Sequence, residues 1–281
     1  MNVKPLWQHS RWMVALLVVF SLPCLAESEI DYDRDGDVDT GDLARAAQNP
    51  VASMISLPLQ NNTSFNFGPR EKTQNVLNVQ PVWPFELNDD WNLITRTILP
   101  VISQPAFLPG QSRKNGIGDT LFTAFLSPRA PGSLIWGAGP AILIPTSNDD
   151  RLGAGEWGAG PSVAFLTMQG PWVVGSLLSN VWSFTDDGDE DEVNLFTWQP
   201  FLNYNLDGGW YLTGSPIITA NWEASSGDKW TVPLGGGIGR IFRVGEQAMN
   251  AQMQAFYSVE KPDDIGPDWS LRFQLQFLFP K

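Results

Sequence analysis

Residues 31–42 read DYDRDGDVDTGD and have the composition of a calcium-binding loop. Asp31, Asp33 and Asp35 occupy positions 1, 3 and 5 of an EF-hand-type loop, Gly36 the turn at 6, Asp39 position 9 and Asp42 position 12. Alternating carboxylates converge on a hard cation, Asp37 at position 7 offers its backbone carbonyl, and glycine allows the sharp turn. Ca2+ is therefore the expected ion at Asp31, Asp33, Asp35, Asp37, Asp39 and Asp42. Asp at position 12 replaces the usual Glu and is shorter, which points to an affinity suited to extracytoplasmic calcium. The competing reading is a solvated acidic linker. Leu43, Ala44, Ala46 and Ala47 then suit a short helix ending before Pro50.

Other site chemistries are excluded by what the chain lacks. Its one histidine and one cysteine are His9 and Cys24, and both fall within 1–26. That stretch reads as an export signal: Lys4 and Arg11 supply charge, 13–22 the apolar run, and Cys24-Leu25-Ala26 a cleavage site. The run is too short to span a bilayer. Once it is removed, no disulfide, thiol nucleophile, Ser–His–acid triad or histidine–zinc site can form, so no enzyme is expected. A formal net charge of −13 disfavours nucleic acid as a partner. Thirteen Trp and sixteen Phe suit a chain that meets outer-membrane lipid.

The remaining candidates are amides and arginines set in alternating segments. Trp269, Leu271, Phe273, Leu275, Phe277 and Phe279 alternate with Ser270, Arg272, Gln274 and Gln276, and only Leu278 breaks the polar row. Period two turns one row to an apolar medium and the other to something wet. Met249, Ala251 and Met253 likewise oppose Asn250, Gln252 and Gln254. Arg96, Gln199, Asn203, Arg240, Gln274 and Gln276 are thus candidates for the wall of a polar lumen, where they would supply polar contacts and electrostatic selection. Two readings stay open: a charged constriction, or a network of ion pairs and hydrogen bonds that plugs the bore.

Positioning these rows takes about twelve strands, expected at 63–68, 75–84, 91–101, 117–127, 133–145, 154–167, 171–184, 193–206, 209–222, 229–241, 246–259 and 269–279. The fold class is all-β: a closed antiparallel transmembrane β-barrel behind a calcium-loop-like segment (27–48) and a linker or barrel plug (49–62), with the barrel proper at 63–281. Connections alternate long (102–116, 146–153, 185–192, 223–228, 260–268) and short (128–132, 169–170, 207–208, 242–245). Long outside and short inside puts both termini on the periplasmic side of a bacterial outer membrane. Prolines at 81, 140, 161, 200, 216 and 233 fall within strand candidates and suggest bulges or a kinked wall. Gly235-Gly236-Gly237 lacks the context of a phosphate loop and reads as close backbone packing. The acidic run 186–192 reads as an outer-loop tip.

Several segments carry a family resemblance. NPVASMISLPLQNN at 49–62, NVQPVWPFELNDDWNLITRTILPVISQP at 78–105, GIGDTLFTAFLSP at 116–128, WGAGPAILIPT at 136–146 and VPLGGGIGRIFRVG at 232–245 resemble bacterial outer-membrane transporter-like proteins. That family is grouped with the MetA pathway of phenol degradation and is also labelled neuromedin-U-like. The likeness covers roughly 49–281. It implies an outer-membrane barrel passing small solutes, partly hydrophobic ones included, by passive or facilitated diffusion, and it supplies no catalytic set. The 31–42 segment lies outside that likeness and resembles a single dockerin repeat, including the Asp42-Leu43 pair that opens its helix. The alternative function is a closed structural or interaction barrel whose calcium-ordered N-terminal segment docks a periplasmic protein partner.

Overall fold

The computed structural model describes residues 40–185, 192–263 and 265–280. The expected signal, Asp31 to Asp39 of the calcium loop, positions 186–191 of the acidic run and Asp264 lie outside the described residues.

Helix α1 (Thr40–Gln48) precedes twelve strands. They are β1 (Ile55–Phe67), β2 (Lys72–Val79, resumed at Val82–Glu86), β3 (Trp91–Gln104) and β4 (Lys114–Ile117, resumed at Thr120–Pro128). Next come β5 (Ile135–Ile144), β6 (Gly158–Gln169), β7 (Trp172–Ser183) and β8 (Asn194–Asn205). The chain ends with β9 (Trp210–Gly214, resumed at Ile218–Asn221), β10 (Trp230–Val244), β11 (Gln247–Glu260) and β12 (Trp269–Phe279). Each strand pairs antiparallel with its sequence neighbours, and β1 closes the ring on β12 from Ile55↔Phe279 to Phe65↔Trp269. Closure leaves no sheet edge whose peptide groups would meet lipid unpaired.

The expected last strand matches β12, whereas β1 begins at Ile55 rather than at 63. Residues 55–62, expected in a linker or plug, are therefore wall. Asn61 pairs with Phe273, Leu77 and Thr63 with Leu271, which puts both polar residues on the outer face and blurs the alternation. They are satisfied there by Asn75: its Nδ2 donates to Asn61 Oδ1 at 2.9 Å and to Thr63 Oγ1 at 2.9 Å.

The outer surface carries two aromatic girdles. Trp91–Trp136 and Trp172–Tyr204 meet edge-on at the end holding both chain termini, with ring centroids 6.0 and 4.6 Å apart. Trp222–Trp230 and Tyr257–Trp269 do so at the other end, at 5.5 and 5.0 Å. Trp172 and Trp182 mark the two levels on β7. Ten residues at about 3.3 Å each, tilted by about 40°, set the levels about 25 Å apart, the height of a barrel's apolar band. Loops 105–113 and 145–157 lie at the far end, while 170–171 and 245–246 are tight turns at the terminal end.

Most prolines inside the wall sit at an interrupted ladder, because proline brings no N–H. Pro81 separates the halves of β2, and Pro216 lies between the halves of β9, opposite Pro200. The β4–β5 ladder skips Gly139 and Pro140, the β6–β7 ladder skips Gly160 and Pro161, and the β10–β11 register shifts at Pro233. Glycines accompany the breaks since the backbones close in there: a Cβ on Gly160 would stand 1.7 Å from the Asn180 carbonyl oxygen. Gly160→Val should therefore abolish folding into the heat-modifiable barrel on a gel. Gly132→Val, in open space, should fold like the parent.

Candidate functional site in the barrel lumen

Inward-facing side chains fall into two territories. On the β3–β8 side Ile94, Phe125, Leu166, Val173 and Phe201 form one buried apolar cluster, into which Val51 inserts, and Asn92, Arg96, Thr123, Gln199 and Asn203 stand beside it. On the β11–β12–β1 side amides and hydroxyls predominate, beside Ala248, Phe256 and Leu278. Helix α1 and residues 49–54 fill the terminal end of the bore. Leu43, Ala44 and Met54 pack on Tyr211, Ile241, Ala248 and Leu278. Leu278, the one apolar residue in the last strand's polar row, is thus the seat of the helix. Gln48 Nε2 donates to Asn205 Oδ1 at 2.8 Å, and Asn92 Nδ2 to Ser53 Oγ at 2.7 Å, tying the segment to the wall.

Above this floor lie two cavities of about 150 Å3 each. The terminal-side chamber is bounded by Ala46, Gln48 and Met54 below and by Gln199, Asn203, Asn250, Gln252, Gln274 and Gln276 around it. The loop-side chamber is lined by Ile98, Leu121, Phe125, Leu178 and Ile217, with Asn78, Thr123 and Ser179. Gln60, Gln80, Arg96, Leu177 and Gln199 line both and form the neck between them. Arg96 Nη2 donates to Gln80 Oε1 at 2.5 Å. Arg96 is the single charged side chain in either lining.

A second arginine does a different task. Arg272 is buried, with Nε on Asn62 Oδ1 at 3.0 Å, Nη1 on the Ser215 carbonyl at 2.7 Å and its guanidinium 4.9 Å from the Phe256 ring centre. Ser215 stands at the break in β9, where the ladder stops. Its N–H donates to Gln254 Oε1 at 3.0 Å. Both long side chains reach Ser215 across β10, where Gly235 and Gly237 leave no side chain in the way. Lower down, Tyr211 Oη donates to Asn250 Oδ1 at 2.7 Å, and Asn250 Nδ2 to Gln276 Oε1 at 3.1 Å.

A family model described as the MetA-pathway of phenol degradation matches residues 68–281. The chain belongs to this family. The matched span starts after α1 and β1. Among solved structures, an outer-membrane channel from Pseudomonas putida is similar at TM-score 0.65 and 20% identity, over 82% of this chain and 96% of that one. The NanC porin is similar at TM-score 0.49 and 9% identity, covering 81% and 100% of the two chains. The CymD monoaromatic hydrocarbon channel is similar at TM-score 0.45 and 9%, covering 86% and 91%. These likenesses concern the fold. No curated protein matches in sequence.

Within this phenol-degradation family barrel, the expected lumen residues divide. Arg96 and Gln199 are at the neck, and Asn203, Gln274 and Gln276 line the terminal-side chamber. Arg240, expected to point inward, is on the outer face instead. It pairs across the sheet with Trp210 and Ala251 and lies 5.0 Å from the Trp210 ring centre. Its inward neighbour Gly239 is the reason: a Cβ there would stand 2.2 Å from the Tyr211 ring, so the phase of this strand is fixed by packing. At the girdle, Arg240 keeps its charge at the headgroup boundary and its stem on the indole. Asp42 opens α1, and no cluster of three metal-ligating side chains occurs among the described residues. Sequence reasoning missed Gln80, whose signal is its place before the strand-breaking Pro81, and Arg272, which sits openly in the polar row. Arg272→Met should lower barrel stability by about 2–3 kcal/mol, since it strips charge-assisted bonds from Ser215 and Asn62. A lower urea midpoint of the liposome-embedded protein would show it.

Proposed function

We propose that this protein is an outer-membrane channel carrying small, partly apolar solutes by passive or facilitated diffusion, and that α1 closes its periplasmic end. One observation carries the reading: a closed barrel encloses two chambers in line, each with an apolar and a polar wall, joined at a side-chain neck. A solute with an apolar body and a polar end finds both surfaces along the same path. Short turns at the terminal end and long loops at the other support periplasmic termini. The reading is non-catalytic, in keeping with a barrel sequence without histidine or cysteine. The family description, which names phenol degradation, accords with compact solutes.

Calcium belongs to this proposal as a stiffener of the plug. The spacing of Asp31 to Asp42 supports a bound Ca2+, and Asp42 is both the loop's last position and part of the first turn of α1. An ion held there would favour the helix that fills the mouth. Single-channel recording in lipid bilayers tests both parts. The mature protein should show small steps, and chelation should raise open probability at unchanged folding. Leu43→Asp puts a carboxylate into the apolar seat formed by Tyr211 and Leu278, which it cannot occupy charged without a cost of several kcal/mol. The helix should leave, and conductance should rise several-fold. An unchanged conductance in this variant would show that α1 does not block the path.

A further inference from the structure

We propose that Arg96 makes the neck an anion-recognition point, and that the preferred solutes are small carboxylates bearing one compact apolar ring. This rests on the channel reading above and adds to it the charge class of the cargo.

The two arginines of the lumen differ in what they leave free. Arg272 is held by Asn62, Ser215 and the Phe256 ring, and it lines neither chamber. Arg96 lines both, gives one N–H to Gln80 Oε1, and has no acceptor for its other N–H groups among the described residues. Among the described residues no Asp or Glu occurs in either lining, so none there neutralises the guanidinium. Gln60, Gln80 and Gln199 surround it with amides, which donate to an anion without opposing its charge. A guanidinium fork with free N–H groups matches a carboxylate in two parallel hydrogen bonds.

The rest of the solute is shaped by the opposite wall. Ile98, Leu121, Phe125, Leu177 and Ile217 face the loop-side chamber beside Arg96. Its volume of about 150 Å3 is that of an apolar cavity able to take a benzene ring. A charged end on Arg96 and a ring against these side chains can be accommodated together.

Two acidic side chains at the loop end are paired with cations. Asp149 is paired with Lys114 and Arg151, and Asp268 with Lys261. The hydrogen bond from Lys114 holds the Asp149 carboxyl below its usual range, and that from Lys261 does the same for Asp268. Across aqueous salt the fields of exposed carboxylates fade within about 8 Å.

The test is the reversal potential of the mature protein in planar bilayers under a KCl gradient, with benzoate and benzylamine as ring-matched probes. Chloride should be preferred over potassium, and benzoate should interrupt the current at lower concentration than benzylamine. Arg96→Gln should reduce the benzoate effect about tenfold, equivalent to about 1.4 kcal/mol, and Arg96→Lys should restore part of it. Gln80→Glu, which keeps the arginine but sets a carboxylate on it, should abolish the preference. A cation-selective parent, or equal benzoate block in parent and Arg96→Gln, overturns the inference while leaving the channel reading intact. A folded barrel that is silent and does not admit benzyl alcohol into vesicles defeats the channel reading instead. Equilibrium dialysis of benzoate against the detergent-solubilised barrel then decides the inference: Arg96-dependent binding supports it, and equal or absent binding overturns it.

Discussion

The constraint on which everything else depends is that lipid offers no partner to a peptide group. Twelve strands meet it by closing β1 onto β12. Closure fixes a circumference, and the circumference fixes an interior too wide for a dry core and too narrow to stay an open pipe. The interior therefore has to be furnished. Helix α1 takes the terminal end, the Ile94–Phe125–Phe201 cluster one flank, and a lattice of amides the other.

The same constraint explains why buried polar groups sit where they do. At the Pro216 break, peptide groups lose their strand partners, and side chains of the lumen replace them. Ser215 shows this most fully: its N–H goes to Gln254 and its carbonyl to Arg272, from strands that are not its neighbours. A buried guanidinium is costly to desolvate, and here Nε, Nη1 and the guanidinium face are engaged by Asn62, Ser215 and the Phe256 ring. The glycines at 235 and 237 belong to this arrangement, because a Cβ there would collide with the carbonyl oxygens of Ala255 and Met253 on β11. Wall and bore are one hydrogen-bonded system, and the kinks in the wall are stabilised from inside.

Much of this was legible in the sequence, and the exceptions are instructive. Period-two alternation placed β11 and β12 well because neither contains proline or glycine. β1 was placed late because Asn61 and Thr63 face outward, and their satisfaction depends on Asn75 of another strand. Arg240 was put on the wrong face because Gly235, Gly236, Gly237 and Gly239 leave the phase of their strand unmarked. Only the close approach of Tyr211 to Gly239 reveals it. The difference between Arg96 and Arg272 was not legible at all. Both occupy inward positions of alternating strands, and their roles diverge through partners on distant parts of the chain.

The asymmetry of the lumen bears on how its plug can work. A bore apolar all round would dewet, and one polar all round would pass ions without discrimination. α1 meets both kinds of surface: Leu43 and Ala44 pack on Tyr211, Ile241, Ala248 and Leu278, while Gln48 bonds Asn205. A helix of nine residues has little stability of its own in water. Burial of Leu43 and Met54 contributes about 1.5–3 kcal/mol each, and that burial exists only while the segment is inside. On the proposed function, folding of α1 and closure of the mouth are one event: whatever stiffens the helix from its N-terminal side would close the channel, and a solute competing for its seat would open the mouth and unfold the helix.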